Sequence, residues 1–336
     1  MVTITDISRA CGVSRATVSK ALNGAPDIAP ATVERIREQA RALGYLPNAT
    51  ARALKVGRSY NIGVLFSDPT GGGISHEFFS TIFENIKTEA ERLGYDITFI
   101  GKDFGPLSLD FYEHAKYRSC DGVVIASADF SEPAVRRLVE SEIPTVTLDY
   151  TFEGRTSILS DNVSGMDQLV RYAYENGHRR IAFIHGELTS VTQKRLVSFK
   201  RTCASLGITV PQEYIRQAVY HNPKSSGLET RALLALPERP TCIFFPDDLS
   251  FLGGMNELER NGVRIPDDIS VAGYDGIPLS QILRPRLTTY RQGAQEMGTE
   301  AARLLVEQIE YPDMWLPQQV TVRGELVKGD TIRRIG

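Results

Sequence analysis

The sequence predicts a small all-α head joined to an α/β body of two similar lobes. Three observations carry that prediction. Two short helical stretches meet at a glycine-containing turn near the N-terminus, strand and helix patterns alternate from residue 61 onward, and the alternation runs as two successive series. A length of 336 residues accommodates two or three compact units. Hydrophobic residues at 42% and charged residues at 24% suit a globular chain with sizeable cores. The longest apolar runs, such as Ile62–Phe66 and Gly122–Ala126, are strand-sized. They fall well short of the roughly 20 residues a membrane-spanning helix needs.

The net charge of -3 conceals an asymmetry. Residues 1–58 hold nine Lys/Arg against four acids, a net +5, which leaves -8 for the remainder. A basic head on an acidic body is the footprint expected where only the head meets phosphate. Cys11, Cys120, Cys203 and Cys242 lie far apart, with no metal or redox spacing. The five histidines (76, 114, 178, 185 and 221) likewise predict no metal site, and no cofactor motif is present. The start Met1–Asp6 lacks a basic segment followed by an apolar run, so a cytoplasmic chain is expected.

In the head, Thr5 is placed to cap a short helix over Asp6–Ala10, with Ile4 and Ile7 on its apolar side. Gly12 supplies a turn residue free to adopt a left-handed conformation. Ser14 caps a second helix over Arg15–Leu22, and Asn23-Gly24 ends it. Two short helices around such a turn make a helix-turn-helix, whose second helix presents its first residues to base edges in the major groove. Arg15 and Lys20 have the chemistry to donate to guanine, and Ala16 to touch a thymine methyl. Thr17 and Ser19 suit phosphate contacts. With Thr5, Ser14 and Asn23 these complete the DNA-facing set of the head. A third helix over Pro30–Leu43 carries the apolar stripe Val33, Ile36 and Ala40 and stops at Gly44. Beyond it, Asn48 caps a segment too short to hold a helix alone, bracketed by Pro47 and Gly57.

The stretches Val2–Ile7, Gly12–Asn23 and Leu43–Asn48 resemble the head of the lactose-repressor (LacI/GalR) family. The resemblance implies base reading by Arg15, Ala16 and Lys20 and adds Asn48, Ala51 and Leu54 from a hinge helix. Leu54 corresponds to a leucine that wedges into the minor groove, and Ala51 to a small residue that lets paired hinge helices approach the groove floor. The implied organisation is a head over 1–46, a hinge and linker over 47–58, and a body over 59–336.

In the body, strands are predicted at Ile62–Phe66, Ile97–Ile100, Gly122–Ala126 and Thr145–Leu148, with helices around Phe78–Leu93 and Glu132–Ser141. A second series has strands at Ile181–Ile184, Ala218-Val219, Cys242–Phe245 and Val271–Tyr274, with helices over Lys194–Leu206 and Phe251–Asn261. Parallel sheets built this way bind ligands at the carboxyl ends of their strands.

Cys120–Ile125, Asn176–Ile181, Asp247-Asp248, Ile265–Asp275 and Leu287–Thr289 resemble the same family and, behind it, the type I periplasmic sugar-binding proteins. The resemblance implies a periplasmic-binding-protein-like body in which the chain crosses between lobes near 161, 290 and 322. Lobe one would then be about 60–161 and 291–322, and lobe two about 162–290 and 323–336. It also implies effector contacts from Phe78, Phe79, Asp149, Asp161, Arg195, Asp247 and Asp275. Tyr220 and His221 are alternative candidates for a stacking role. Such residues suit a polyol, which needs paired acceptors and donors and an aromatic face.

Three departures from the family pattern bear on the ligand: Asp247-Asp248 replaces an Asn-Asp pair, Pro69–Glu77 is glycine-rich, and the segment Tyr220–Pro223 has an uncertain register. The implied function is a dimeric regulator that binds palindromic double-stranded operator DNA under control of a sugar-like effector. An enzyme is disfavoured, because no dinucleotide fingerprint, phosphate-binding lysine loop or nucleophile elbow is present. A periplasmic carrier would have no use for the basic head. The sequence ends without a leucine-heptad tail, which favours a dimer over a tetramer.

Overall fold

The computed structural model describes residues 2–46, 57–67, 73–103 and 105–336. The expected hinge residues Asn48, Ala51 and Leu54 lie outside them. The chain divides into two compact units, Met1–Ser59 and Tyr60–Gly336.

The first unit holds α1 (Ile4–Cys11), α2 (Arg15–Leu22) and α3 (Pro30–Ala42). Ile7, Val18, Ala21, Ile36 and Ala40 form its core. Gly12 turns the chain at φ +64°, and Ser14 Oγ accepts from the Thr17 amide at 3.0 Å, which caps α2. One expectation fails: Thr5 lies exposed inside α1 and is not its cap. The cap is Thr3, whose amide and hydroxyl both donate to Asp6 Oδ2, at 2.9 and 2.7 Å. An acid in the first turn reaching back to the residue three before it is the reciprocal arm of a capping box.

The second unit is built on two six-stranded sheets. In chain order its elements begin with β1 (Asn61–Phe66), α4 (Glu77–Arg92), β2 (Asp96–Ile100), α5 (Phe111–Tyr117), β3 (Gly122–Ser127), α6 (Pro133–Glu140), β4 (Thr145–Leu148) and β5 (Thr156–Ser160). There follow α7 (Asn162–Glu175), β6 (Ile181–His185), α8 (Ser190–Ser205), β7 (Ile215–Gln217), α9 (Pro223–Leu234), β8 (Cys242–Phe244), α10 (Asp248–Arg260), β9 (Ser270–Asp275) and α11 (Pro278–Ile282). The chain closes with β10 (Thr288–Arg291), α12 (Ala294–Glu310), β11 (Gln319–Val322) and β12 (Glu325–Val327).

The first sheet runs β11-β5-β4-β3-β1-β2 and the second β12-β10-β9-β8-β6-β7. Every pairing is parallel except β10 with β12. The central strands are buried along their lengths, as parallel strands covered on both faces must be. The chain passes from the first sheet to the second after β5, returns between β10 and α12, and crosses again between β11 and β12.

Helix α12 belongs to the first lobe. Met297, Ala301 and Leu305 pack with Ile82, Phe83 and Ile86 of α4 in one core. Gly298 allows this approach, since a Cβ there would stand 2.4 Å from the Ile82 carbonyl oxygen.

Several boundaries differ from the periodicity. Helices α8 and α10 begin before their predicted starts at Lys194 and Phe251, because Thr189 and Asp247 cap polar first turns that carry no apolar signal. The strand expected at Ala218-Val219 ends at Gln217, where β7 leaves β6.

Candidate functional site

Arg15, Ala16 and Lys20 all lie exposed on α2, with Thr17 and Ser19 half-buried beside them. The buried residues of that helix, Val18 and Ala21, face the core, so packing and solvent presentation divide cleanly. Lys20 is paired with Asp27 from the following loop, and that ammonium holds the carboxyl of Asp27 below its ordinary range. Asn23 is exposed at the end of α2, where its amide donates to the Ser19 carbonyl at 2.6 Å.

In the second unit, the strand ends of both lobes converge on a cleft. Asp275 ends β9 with φ +102°, a conformation rare outside glycine. Its Oδ1 accepts from Gln292 Nε2 at 2.6 Å, and its Oδ2 lies 3.9 Å from His76 Nε2 of the first lobe. Burial pushes its carboxyl up to about 7, with Arg195 pulling the other way. His221 sits at φ +56°. Its amide donates to Asp247 Oδ2 at 3.0 Å, and its ring lies with its centroid 3.6 Å from that of His76.

Asp247 is fully buried and accepts from the Ser250 amide and hydroxyl, both at 2.7 Å, so it caps α10 while fixing His221. Burial opposes its charge, yet His221 keeps its carboxyl low. Asp248 turns away from the cleft. Its carboxylate accepts from Thr289 Oγ1 at 2.6 Å and the Ile277 amide at 2.9 Å, and burial beside Asp275 raises it well above the usual carboxylate range.

Arg195 is buried in lobe two. Its Nε donates to Asn162 Oδ1 at 2.7 Å, its Nη1 to the Pro246 carbonyl at 3.1 Å, and its guanidinium covers the ring of Tyr274. Burial disfavours its charge, but the phenol groups of Tyr220 and Tyr274 and the carboxylates of Asp275 and Asp149 outweigh that and raise it. Because α8 begins at Ser190, Arg195 occupies the second turn; the helix-start position expected for it is incorrect.

Asp149 follows β4 directly at φ +54° and accepts from the Ser160 amide and hydroxyl at 2.7 and 3.0 Å. Its carboxyl is raised by burial. Its carbonyl accepts from Ser190 Oγ of the other lobe at 2.9 Å. Asp161 is the cap of α7, accepting from the Ser164 amide at 3.0 Å, which supplies a structural reason for an acid there. Phe78 packs into the lobe-one core and borders a cavity of about 620 Å³ shared with Asp275 and Gln292. Phe79 presents its ring to His76 and His221 at 6.1 and 6.4 Å. The Tyr220 hydroxyl is hydrogen-bonded to Thr192 Oγ1 at 2.8 Å, which leaves His221, not Tyr220, beside Phe79.

His76, Gln292, Asn162 and Tyr274 escaped the sequence reading. His76 and Gln292 reach the cleft only through sheet topology, and no local pattern marks them.

This combination of helix-turn-helix and two-lobed cleft agrees with comparisons to known proteins. Residues 3–48 match the model described as bacterial regulatory proteins, lacI family, and residues 170–332 the periplasmic binding protein-like domain. The probable HTH-type transcriptional repressor ExuR of Bacillus subtilis (strain 168) is 33% identical over 100% of this chain and 99% of its own length. The chain belongs to the lacI family. It is therefore a transcription regulator with a helix-turn-helix head, and not an enzyme. Among solved structures of the family, the lac repressor dimer bound to operator and the anti-inducer ONPF superimposes with a TM-score of 0.83 at 25% identity, covering 99% of each chain. The CelR–cellobiose complex has the same fold, with a TM-score of 0.72 at 24% identity over 98% of this chain and 100% of that one.

Proposed function

We propose that this lacI-family regulator is a repressor that binds a palindromic operator as a homodimer and releases or tightens on it when a sugar-like effector enters the cleft. The observation that carries the reading is the pairing of an exposed Arg15-Ala16-Lys20 face on a capped helix with a cleft lined by buried acids and an arginine. Carboxylates and a guanidinium suit the paired hydroxyls of a sugar, and Phe79 offers an apolar face. The lac repressor, solved on operator, and CelR, solved with cellobiose, support the same reading by likeness of fold. The effector set comprises Phe79, Asp149, Arg195, His221, Asp247 and Asp275, with Phe78 and Asp161 at its margin. The DNA-facing set is completed by Asn48, Ala51 and Leu54. The proposed place of action is the cytoplasm.

Selection of bound duplexes from a random pool with the full chain tests it. A two-fold-symmetric site is expected, with affinity falling by a log-log slope of about -0.9 per neutralised phosphate as salt rises. Addition of a panel of mono- and disaccharides should shift that affinity. Recovery of no symmetric site, or indifference to every sugar while DNA binding persists, would refute the operator and the effector halves respectively.

A further inference from the structure

We propose that His76, His221 and Asp275 form a binding site for a divalent first-row transition-metal ion of the zinc class, tying the two lobes together across the cleft. Each residue offers one donor atom, and the three donors lie within 4.8 Å of one another. Zinc bonds of roughly 2.0–2.2 Å in a tetrahedron place donors about 3.4 Å apart, so small side-chain rotations close the set. His76 and Asp275 are buried, and the side chain of His221 is 13% exposed.

The chemistry of the donors selects the ion. The two imidazoles stand with ring centroids 3.6 Å apart, and imidazole is a common ligand of first-row transition metals. Two imidazoles and a carboxylate suit zinc, cobalt or nickel, whereas magnesium and calcium prefer oxygen donors alone. The local charge agrees. Asp247 and Asp275 are buried at the cleft, with Asp248 buried behind them, and Arg195 is the only buried Lys or Arg among the described residues. A cation there would stand among buried carboxylates, which need such a partner.

The donors are also held from behind, as metal ligands are in working sites. Gln292 Nε2 donates to Asp275 Oδ1 and leaves Oδ2 toward His76. Asp247 Oδ2 accepts the His221 amide and sets the loop that carries the ring. Both His221 and Asp275 sit at positive φ, a conformation uncommon outside glycine that Asp149 at the same cleft shares. Three protein donors leave a coordination position open toward the cleft. His76 precedes α4 in lobe one, while His221 follows β7 and Asp275 ends β9 in lobe two, so the ion bridges the lobes. The inference does not rest on the effector being a sugar.

Calorimetric titration of the metal-stripped full chain with zinc chloride tests the site, with cobalt absorption reporting its geometry. One zinc ion per chain is expected, with d–d bands of a four-coordinate cobalt site and no binding of magnesium. His76→Gln and His221→Gln should each weaken zinc by at least about 100-fold, more than loss of a group that merely holds a ligand from behind costs. Circular dichroism checks that each variant is folded, and Asp275→Asn replaces any variant that is not. Failure of the wild-type chain to take up one ion, or undiminished binding in either folded histidine variant, overturns the proposal.

Discussion

The guanidinium carbon of Arg195 stands 3.6 Å from the centroid of the Tyr274 ring, so the only buried Lys or Arg among the described residues lies over an aromatic face. Hydrogen bonds to Asn162 and Pro246 lock the same group from the sides. Its role is thus structural whatever else it contacts, and its removal strands two buried acceptors. Arg195→Ala should cost roughly 2–4 kcal/mol of stability, from lost charged hydrogen bonds and the cation–π contact. Arg195→Lys should recover only part, because an ammonium cannot stack flat while donating in two fixed directions. Urea unfolding of both variants decides this; wild-type stability in Arg195→Ala would contradict it.

Beneath that ring, Gly165 in α7 admits no side chain. A Cβ would lie 2.4 Å from the Tyr274 hydroxyl and 2.6 Å from Tyr290 Cε1. Gly165→Ala should therefore destabilise by about 1–3 kcal/mol through overpacking, against the gain in helix propensity that alanine normally brings. An alanine variant as stable as the parent would mean that the two tyrosines yield freely.

How far the sequence foretells this structure depends on the range of the forces involved. The head is readable because its determinants are local: Ser14 caps the helix that follows it, and Gly12 turns the chain beside it. Even there the choice between Thr3 and Thr5 as cap turned on Asp6, which either assignment places in the first turn. The central strands announce themselves as apolar runs. The cleft is less legible. Asp275 and Asp149 are marked by their places after strands, but an acid before a helix looks the same whether it caps, as Asp161 does, or faces a ligand. The meeting of His76 with His221 has no trace in residue spacing, because only the apposition of two sheets creates it.

In the head, the pairing of Lys20 with Asp27 sets a competition. If Lys20 reads a base, it must leave that carboxylate, and Asp27 itself repels phosphate. An exposed pair contributes little, so Asp27→Asn should strengthen DNA binding by no more than about fivefold at low salt. The gain should shrink as salt screens the pair. Fluorescence anisotropy across a salt series measures it, and unchanged or weaker binding would remove Lys20 from the interface.

The last prediction concerns pH and the anchoring of the C-terminal segment to lobe two. His178 is buried, with Nε2 3.1 Å from the Arg333 carbonyl and Nδ1 3.0 Å from Thr241 Oγ1. The carbonyl requires a proton on Nε2, so in the neutral ring Nδ1 is the bare nitrogen facing the Thr241 hydroxyl, whose proton is shared with the Arg180 carbonyl at 3.2 Å. Burial lowers its pKa from 6.5, the Arg333 hydrogen bond resists, and the charges of Arg333 and Arg179 push it down further. Above the unfolded value near 6.5, neither state binds this proton and the histidine adds no pH dependence. Below it, the unfolded chain takes up a proton that the folded chain refuses, so stability falls as pH drops through that window toward the folded pKa. A single site limits the slope to about 1.4 kcal/mol per pH unit. His178→Gln keeps an amide to donate to Arg333 and an oxygen to accept from Thr241 but does not titrate. Urea midpoints of the full chain at pH 7.5 and 5.5 should therefore differ less in the variant than in the parent. An equal loss in both would place the acid sensitivity elsewhere and leave His178 as a packing residue.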